Sequence, residues 1–388
     1  MQPDEAVAVA AAEAYARAPS REGLARLQGA VESPRQEFFR RLNLAPGATS
    51  EIVSMRRDLL RLPKAEPELA AVDLDLRHLL ASWFNRGFLV LRRIDWQTPA
   101  AILEKIIAYE AVHEIKGWDD LRRRLDPVDR RCFAFFHPSL VDEPLIFVEV
   151  ALMDATPRAI SSVLHEARKG DGEAQPTTAV FYSISNCQDG LKGISFGNFL
   201  IKQVVEELAR ECPSLKTFVT LSPVPSFARW LDRFSAESGA GVLTPSDRRA
   251  LAGLADPRWF DDPGEVTGLR GPLTALAAHY FLVARSSDGR SIDPVARFHL
   301  GNGARLDAIN WLGDTSERGL SEAHGLMVNY RYDIKEIERN HEAYINDGEV
   351  AASKAVRALL RPQDKRRVAT AEPKALPAPA AGDAVDPD

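Results

Sequence analysis

Over the first 84 residues or so, apolar positions recur at helical spacing in short stretches. Glu37-Phe-Phe-Arg-Arg-Leu42 and Ile52 to Leu62 are both amphipathic. Ala, Leu, Glu and Arg dominate and β-branched residues are sparse, a composition that favours helix. Ala45-Pro-Gly47, Pro63 and Pro67 break the stretches, and Leu76 to Phe84 reads as a further helix with Gly87 beyond it. The pattern predicts a helical domain over 1–84 with no chemistry of its own.

The texture changes after residue 85. Ala101 to Val112 keeps helical spacing. Strand-like runs then follow: Leu145 to Leu152, broken only by Glu149; Ala179 to Ser185; Leu215 to Leu221; and Tyr280 to Ala284, with His279 read as structural at its start. Between the second and third, Phe196 to Glu211 reads as a helix with Ile201, Val204, Val205 and Leu208 on one face and Pro213 after it. Residues 179–221 thus predict a strand, a glycine-bearing turn, a helix and a parallel strand in a mixed sheet. Residues 371–388 hold 4 Pro and 6 Ala and little to bury, so the chain is expected to end in a disordered tail over 366–388. The fold class is α+β, with a catalytic domain over 85–365.

Lys plus Arg number 49 against 55 Asp plus Glu, a net charge of -6, which supplies no global field for a nucleic-acid partner. No apolar run approaches the ~20 residues of a membrane helix. The acidic N-terminus shows no secretory signal, and three widely spaced cysteines form neither a disulfide framework nor a zinc cluster. A reducing cytoplasm is the expected compartment. No histidine continues as H-E-x-x-H, so no metal site is expected.

Three segments could carry chemistry. Asn186 to Asn198 holds Gly190, Gly193 and Gly197 ahead of a helix. Such a turn suits a pyrophosphate, through close backbone approach and helix N–H groups, although a plain turn has the same composition. It is neither a P-loop nor a dinucleotide fingerprint. Lys192 and Lys202 could add charge. Ser222 ends a strand that runs into Pro223-Val-Pro225, which should take the chain out of the sheet, because proline cannot donate to the ladder. His299 precedes the turn Gly301-Asn-Gly303, and Ile309 to Tyr332 is rich in aromatic and polar groups. Each of these also reads as ordinary structure. Cys187 has no histidine near it in sequence and is not expected to be a nucleophile.

Taken in order, several of these stretches are more specific than any one alone. They are Glu143-Pro-Leu145, Phe181-Tyr-Ser-Ile-Ser185, Gly197-Asn-Phe-Leu-Ile-Lys202 and Leu221-Ser-Pro-Val-Pro225. Phe298-His-Leu300, Asn302-Gly-Ala304, Ile309-Asn-Trp311, Gly325-Leu-Met327 and Asn329-Tyr-Arg-Tyr332 complete the set. Over about residues 85–335 the chain resembles the malonyl-CoA decarboxylases. The resemblance implies a helical oligomerisation domain, a homo-oligomer (a tetramer), and a catalytic domain similar to the GNAT-type acetyltransferase fold. It places CoA binding on Lys192, Gly193, Ile194, Ser195, Phe196, Gly197 and Asn198. It places the serine–histidine pair on Ser222 and His299, with Ser183 and Tyr332 as further pocket residues. Some family members carry glutamate where this chain has Ser195, so no role for that carboxylate carries over.

The chemistry fits those residues. Loss of CO2 from malonyl-CoA leaves a thioester enolate, which needs its carboxylate oriented, its oxygen stabilised and one proton delivered to carbon. Ser222 and Tyr332 supply hydroxyls. His299, at an unperturbed pKa of roughly 6.5, would be the proton donor. The thioester is the electron sink, so no cofactor is expected. Two other functions compete. One is an acyl-CoA-dependent N-acyltransferase, with Glu149 among its candidate bases. The other is a non-catalytic sensor that binds malonyl-CoA and leaves it intact.

Overall fold

A computed structural model describes residues 3–63, 66–164, 175–194, 200–237, 243–256 and 258–370. The chain divides into two compact units, Met1–Thr220 and Leu221–Asp388.

The first unit begins with helices α1 (Glu5–Arg17), α2 (Arg21–Val31), α3 (Pro34–Leu42), α4 (Ala48–Arg61) and α5 (Pro67–Trp83). Local chemistry starts several of them. Asp4, Ser20 and Ser33 accept backbone N–H groups as N-caps, and Pro34 sits at the start of α3. Next come β1 (Val90–Ile94), α6 (Ala100–Tyr109), α7 (Trp118–Leu125), β2 (Arg130–His137) and β3 (Leu140–Met153). The unit closes with α8 (Ser161–Leu164), β4 (Thr178–Asn186), α9 (Leu200–Glu211) and β5 (Thr217–Thr220). β1 to β4 pair antiparallel in sequence order, whereas β5 joins β4 in parallel, Thr178 opposite Thr217. The predicted strand–turn–helix–strand unit is therefore present. α9 buries the expected face: Ile201, Val204, Val205 and Leu208 are all enclosed. Its predicted first turn, from Phe196, lies outside the described residues. α6 stops at Tyr109 rather than Val112, because Glu110 turns back and its carboxylate accepts the Val112 and His113 N–H groups.

The second unit opens with β6 (Ser222–Pro223), then α10 (Phe227–Glu237), α11 (Pro245–Ala252), α12 (Pro263–Leu282) and α13 (Pro294–Gly301). β7 (Arg305–Asn310), α14 (Glu317–Ala323), β8 (Met327–Tyr332), α15 (Ile337–Asp347), α16 (Lys354–Ala358) and α17 (Pro362–Thr370) follow. β8 lies between β6 and β7, antiparallel to both. Two expectations are corrected here. Tyr280 to Ala284 is not a strand: it is the end of the 20-residue helix α12 and the turn after it. Every residue from Leu276 to Leu282 is buried, so the helix end is apolar all round and loses the period that marks a helix. His279 therefore sits on a helix, its ring 5.3 Å from Phe234 and its Nδ1 3.0 Å from Asp364 Oδ1 on α17. Second, Pro223 does not take the chain straight out of the sheet, since Ser222 and Pro223 pair with Val328 and Met327 of β8. α17 runs across the expected start of the tail at 366, and 371–388 lie outside the described residues.

Candidate active site

Three predicted residues meet in the second unit. Ser222 is held opposite Val328 of β8. Alternate residues of a strand share a face, so Tyr330 and Tyr332 lie on the face that Val328 presents. His299 comes from the last turn of α13. That helix is started by the Asp293 carboxylate, which accepts the Ala296 N–H at 2.9 Å, and by Pro294 behind it. The Tyr280 hydroxyl also donates to Asp293, at 3.2 Å. The helix ends where Gly303 takes φ +80°, and a Cβ there would stand 2.1 Å from the Ile337 carbonyl oxygen. Only glycine fits that turn, which sets where α13 stops and where His299 points.

The His299 ring is bonded on both sides. Its Nε2 lies 3.1 Å from Ser222 Oγ and its Nδ1 2.8 Å from the Tyr332 hydroxyl. Tyr330 stacks on it, with ring centroids 4.5 Å apart and planes at 24°. His299 is 3% exposed, and Ser222, Tyr330 and Tyr332 are buried with it.

Burial decides the protonation state. Desolvation pushes the His299 imidazole down to about 3, so the resting ring is neutral at physiological pH. The sequence-based assignment of a histidine with an ordinary pKa is corrected accordingly. Burial also raises the Tyr332 phenol well above its usual value, so Tyr332 keeps its proton and donates to Nδ1. The remaining imidazole proton then sits on Nε2, facing Ser222.

Ser183 lies in the first unit, on β4, opposite Glu149 at a bulge in the β3–β4 ladder. Its hydroxyl donates to the Glu110 carboxylate, 2.8 Å from each oxygen, and Ser185 Oγ is 3.4 Å from Glu110 Oε2. Lys192, Gly193 and Ile194 form the turn before α9. Lys192 is exposed and Gly193 has φ +77°. The calls on Ser195, Phe196, Gly197 and Asn198 fall outside the described residues. Glu149 is enclosed, with Arg124 Nη1 3.1 Å from its Oε2. Desolvation and the nearby Glu110 charge raise its carboxyl to about 8. Burial pushes the Cys187 thiol up, which agrees with its exclusion as a nucleophile.

With this geometry in hand, comparison with known proteins is decisive. The sequence model of the malonyl-CoA decarboxylase C-terminal domain matches residues 87–370, and that of the N-terminal domain matches 1–84. The chain belongs to the malonyl-CoA decarboxylase family. The solved malonyl-CoA decarboxylase of Agrobacterium vitis is 57% identical, with 93% of this chain and 88% of that one covered and a TM-score of 0.86. That of Rhodopseudomonas palustris is 56% identical, covering 92% and 87%, with a TM-score of 0.84. The mitochondrial malonyl-CoA decarboxylase of Anser anser anser is 37% identical over 343 residues, 82% of this chain and 68% of the relative. No helix among the described residues is long and apolar enough to cross a membrane.

Against the family's motifs, sequence reasoning missed Glu110, the stacking role of Tyr330 and the cap at Asp293. Tyr330 stood inside a quoted motif, and its two-residue offset from Tyr332 on a strand was the available signal. Nothing local marked Glu110, whose partner lies 73 residues on.

The buried neutral histidine of this decarboxylase has a consequence for stability. Its folded pKa, about 3, lies below the unfolded value near 6.5. Between those values the unfolded chain binds the extra proton, so this residue's contribution is lost as pH falls, by about 1.4 kcal/mol per unit. Asp293, raised to about 6, works in the opposite direction between roughly 4 and 6. The difference between wild type and His299→Asn removes the aspartate and isolates the histidine. In denaturant titrations from pH 6.5 to 4, that difference should shrink on acidification. A constant difference would contradict a neutral buried ring.

Proposed function

We propose that the chain decarboxylates malonyl-CoA to acetyl-CoA and CO2, with His299 delivering the proton to carbon and Ser222 orienting the carboxylate. The bonded array Ser222–His299–Tyr332 carries this reading. A malonyl carboxylate brought about 4 Å from the ring would favour imidazolium by about 4 kcal/mol at an effective dielectric of 20. That is about three pKa units, enough to offset most of the burial cost. In the charged ring Nδ1–H donates to the Tyr332 oxygen, so the tyrosine switches from donor to acceptor without moving.

The Cα–carboxylate bond then breaks, CO2 leaves, and its electron pair becomes the enolate of acetyl-CoA. The imidazolium gives its Nε2 proton to the carbon and returns to the neutral form that burial favours. One proton is consumed per turnover, as the overall reaction requires. The thioester holds the developing charge, and a well-placed donor to that oxygen contributes ~3 kcal/mol. We assign the backbone from Lys192 to Asn198 to the CoA pyrophosphate and Ser183 to the pocket, both supported by the family resemblance. The N-acyltransferase reading loses one of its candidate bases, since Glu149 is enclosed and bonded to Arg124. The proposal extends to a homo-tetramer built by the helical region, which exposes Phe38, Leu42 and Leu44. It also extends to a reducing cytoplasm, supported by free cysteines at 132, 187 and 212.

The role of Ser222 is separable by ligand. Ser222→Ala should weaken malonyl-CoA, measured as KM, by about tenfold to a hundredfold, the value of a hydrogen bond to a charged group. It should leave inhibition by acetyl-CoA, which has no carboxylate, within twofold. Equal losses for both ligands would overturn the assignment.

A further inference from the structure

Arg56 lies on α4, in the helical region, and is 1% exposed. Its Nε donates to Asp73 Oδ1 at 2.8 Å. Its Nη1 leaves the helical region altogether, donating to the carbonyls of Gly190 at 2.7 Å and Lys192 at 3.0 Å. The fit around this contact is tight. A Cβ on Gly190 would stand 1.9 Å from the carbonyl oxygen of Val53, one turn before Arg56, so glycine is what lets α4 lie against the turn. The turn is tied internally as well, with Lys192 N–H on the Asp189 carbonyl and Ile194 N–H on that of Leu191.

A guanidinium buried this deeply is fixed by its three bonds, and the carbonyls it grips are fixed in turn. In a trans peptide the C=O and the following N–H point in opposite directions. With the Lys192 carbonyl turned toward Arg56, the Gly193 N–H must face away from α4. Gly193 itself takes φ +77°. A surface arginine would not need two carbonyls 134 and 136 residues away. This one sets the orientation of the peptide at which the proposed pyrophosphate turn begins.

We propose that Arg56 is a positioning residue for CoA: from the helical region it holds the Gly190 and Lys192 carbonyls, so that the Lys192–Gly193 peptide presents its N–H to the CoA phosphates. This rests on the reading of the turn as the pyrophosphate site. It makes the helical region part of the substrate-binding apparatus as well as an assembly surface.

The test compares malonyl-CoA with malonyl-pantetheine, which keeps the thioester and carboxylate but has no phosphate. Arg56→Lys keeps the charge and loses the fork; Asp73→Asn is the milder variant should the first fold poorly. Arg35→Ala serves as control, because Arg35 pairs with Asp75 inside the helical region and touches no part of the turn. For Arg56→Lys the KM for malonyl-CoA should rise about tenfold to a hundredfold, with kcat within twofold. Its kcat/KM for malonyl-pantetheine should stay within twofold of wild type. Asp73→Asn should follow the same pattern more weakly, and Arg35→Ala should change neither KM. An unchanged KM for malonyl-CoA in Arg56→Lys, or equal losses on both substrates, would overturn the role of Arg56. Wild type using both substrates with equal kcat/KM would instead overturn the pyrophosphate reading itself.

Discussion

Replacing His299 by asparagine is expected to lower kcat for malonyl-CoA by about 10²- to 10⁴-fold, the range that a positioned proton donor supplies. Asparagine keeps a polar group beside Ser222 but has no proton it can give to an enolate. The substitution also gives up the ring stacked on Tyr330, so the variant should be compared at matched folded fraction by circular dichroism. Tyr332→Phe should be milder. It removes the acceptor for the charged Nδ1–H but leaves the imidazole and its Nε2 bond to Ser222 in place. A His299→Asn protein that is folded and fully active would remove the histidine from the mechanism.

The second large effect concerns stability. Arg124→Ala should destabilise the protein by about 1–3 kcal/mol at neutral pH, because it leaves the enclosed Glu149 carboxyl without its hydrogen-bond partner, and by more where that carboxyl would ionise. Arg124 also donates to the Glu114 carbonyl at 3.0 Å, so α7 loses a tether to the segment before it. The sign with pH follows from Glu149. Its folded pKa, about 8, already lies above the unfolded value, and removing Arg124 raises it further. Below about pH 8 the folded carboxyl is neutral in both proteins, and the unfolded chains titrate alike, so its ionisation adds nothing to the difference between them. The cost of Arg124→Ala should therefore be nearly constant below about pH 8 and grow as pH rises above it. Adding Glu149→Gln to Arg124→Ala should remove that growth above pH 8. A cost independent of pH, measured by denaturant unfolding, would show that the arginine acts through packing alone.

What could be read from the sequence follows the range of the interactions involved. The β4–α9–β5 unit is set by local pattern: an apolar run, a glycine turn, a face of Ile201, Val204, Val205 and Leu208, and Pro213 to end the helix. Ser222, His299 and Tyr332 were legible through the ordered motifs around them, since composition alone left each as ordinary structure. Tyr280 to Ala284 misled because full burial erases the period that separates helix from strand. The state of His299 was out of reach, as its pKa is set by the aromatic residues packed over it after folding. Arg56 and Glu110 were equally hidden. Their partners are 134 and 73 residues distant, and no local pattern announces such contacts.

The most direct test of the central claim is mass spectrometry of the purified protein incubated with malonyl-CoA alone, with no acyl acceptor, reading acetyl-CoA and CO2 together. The account predicts one acetyl-CoA and one CO2 for each malonyl-CoA consumed. Malonyl-CoA left intact, or consumed without release of CO2, would contradict it.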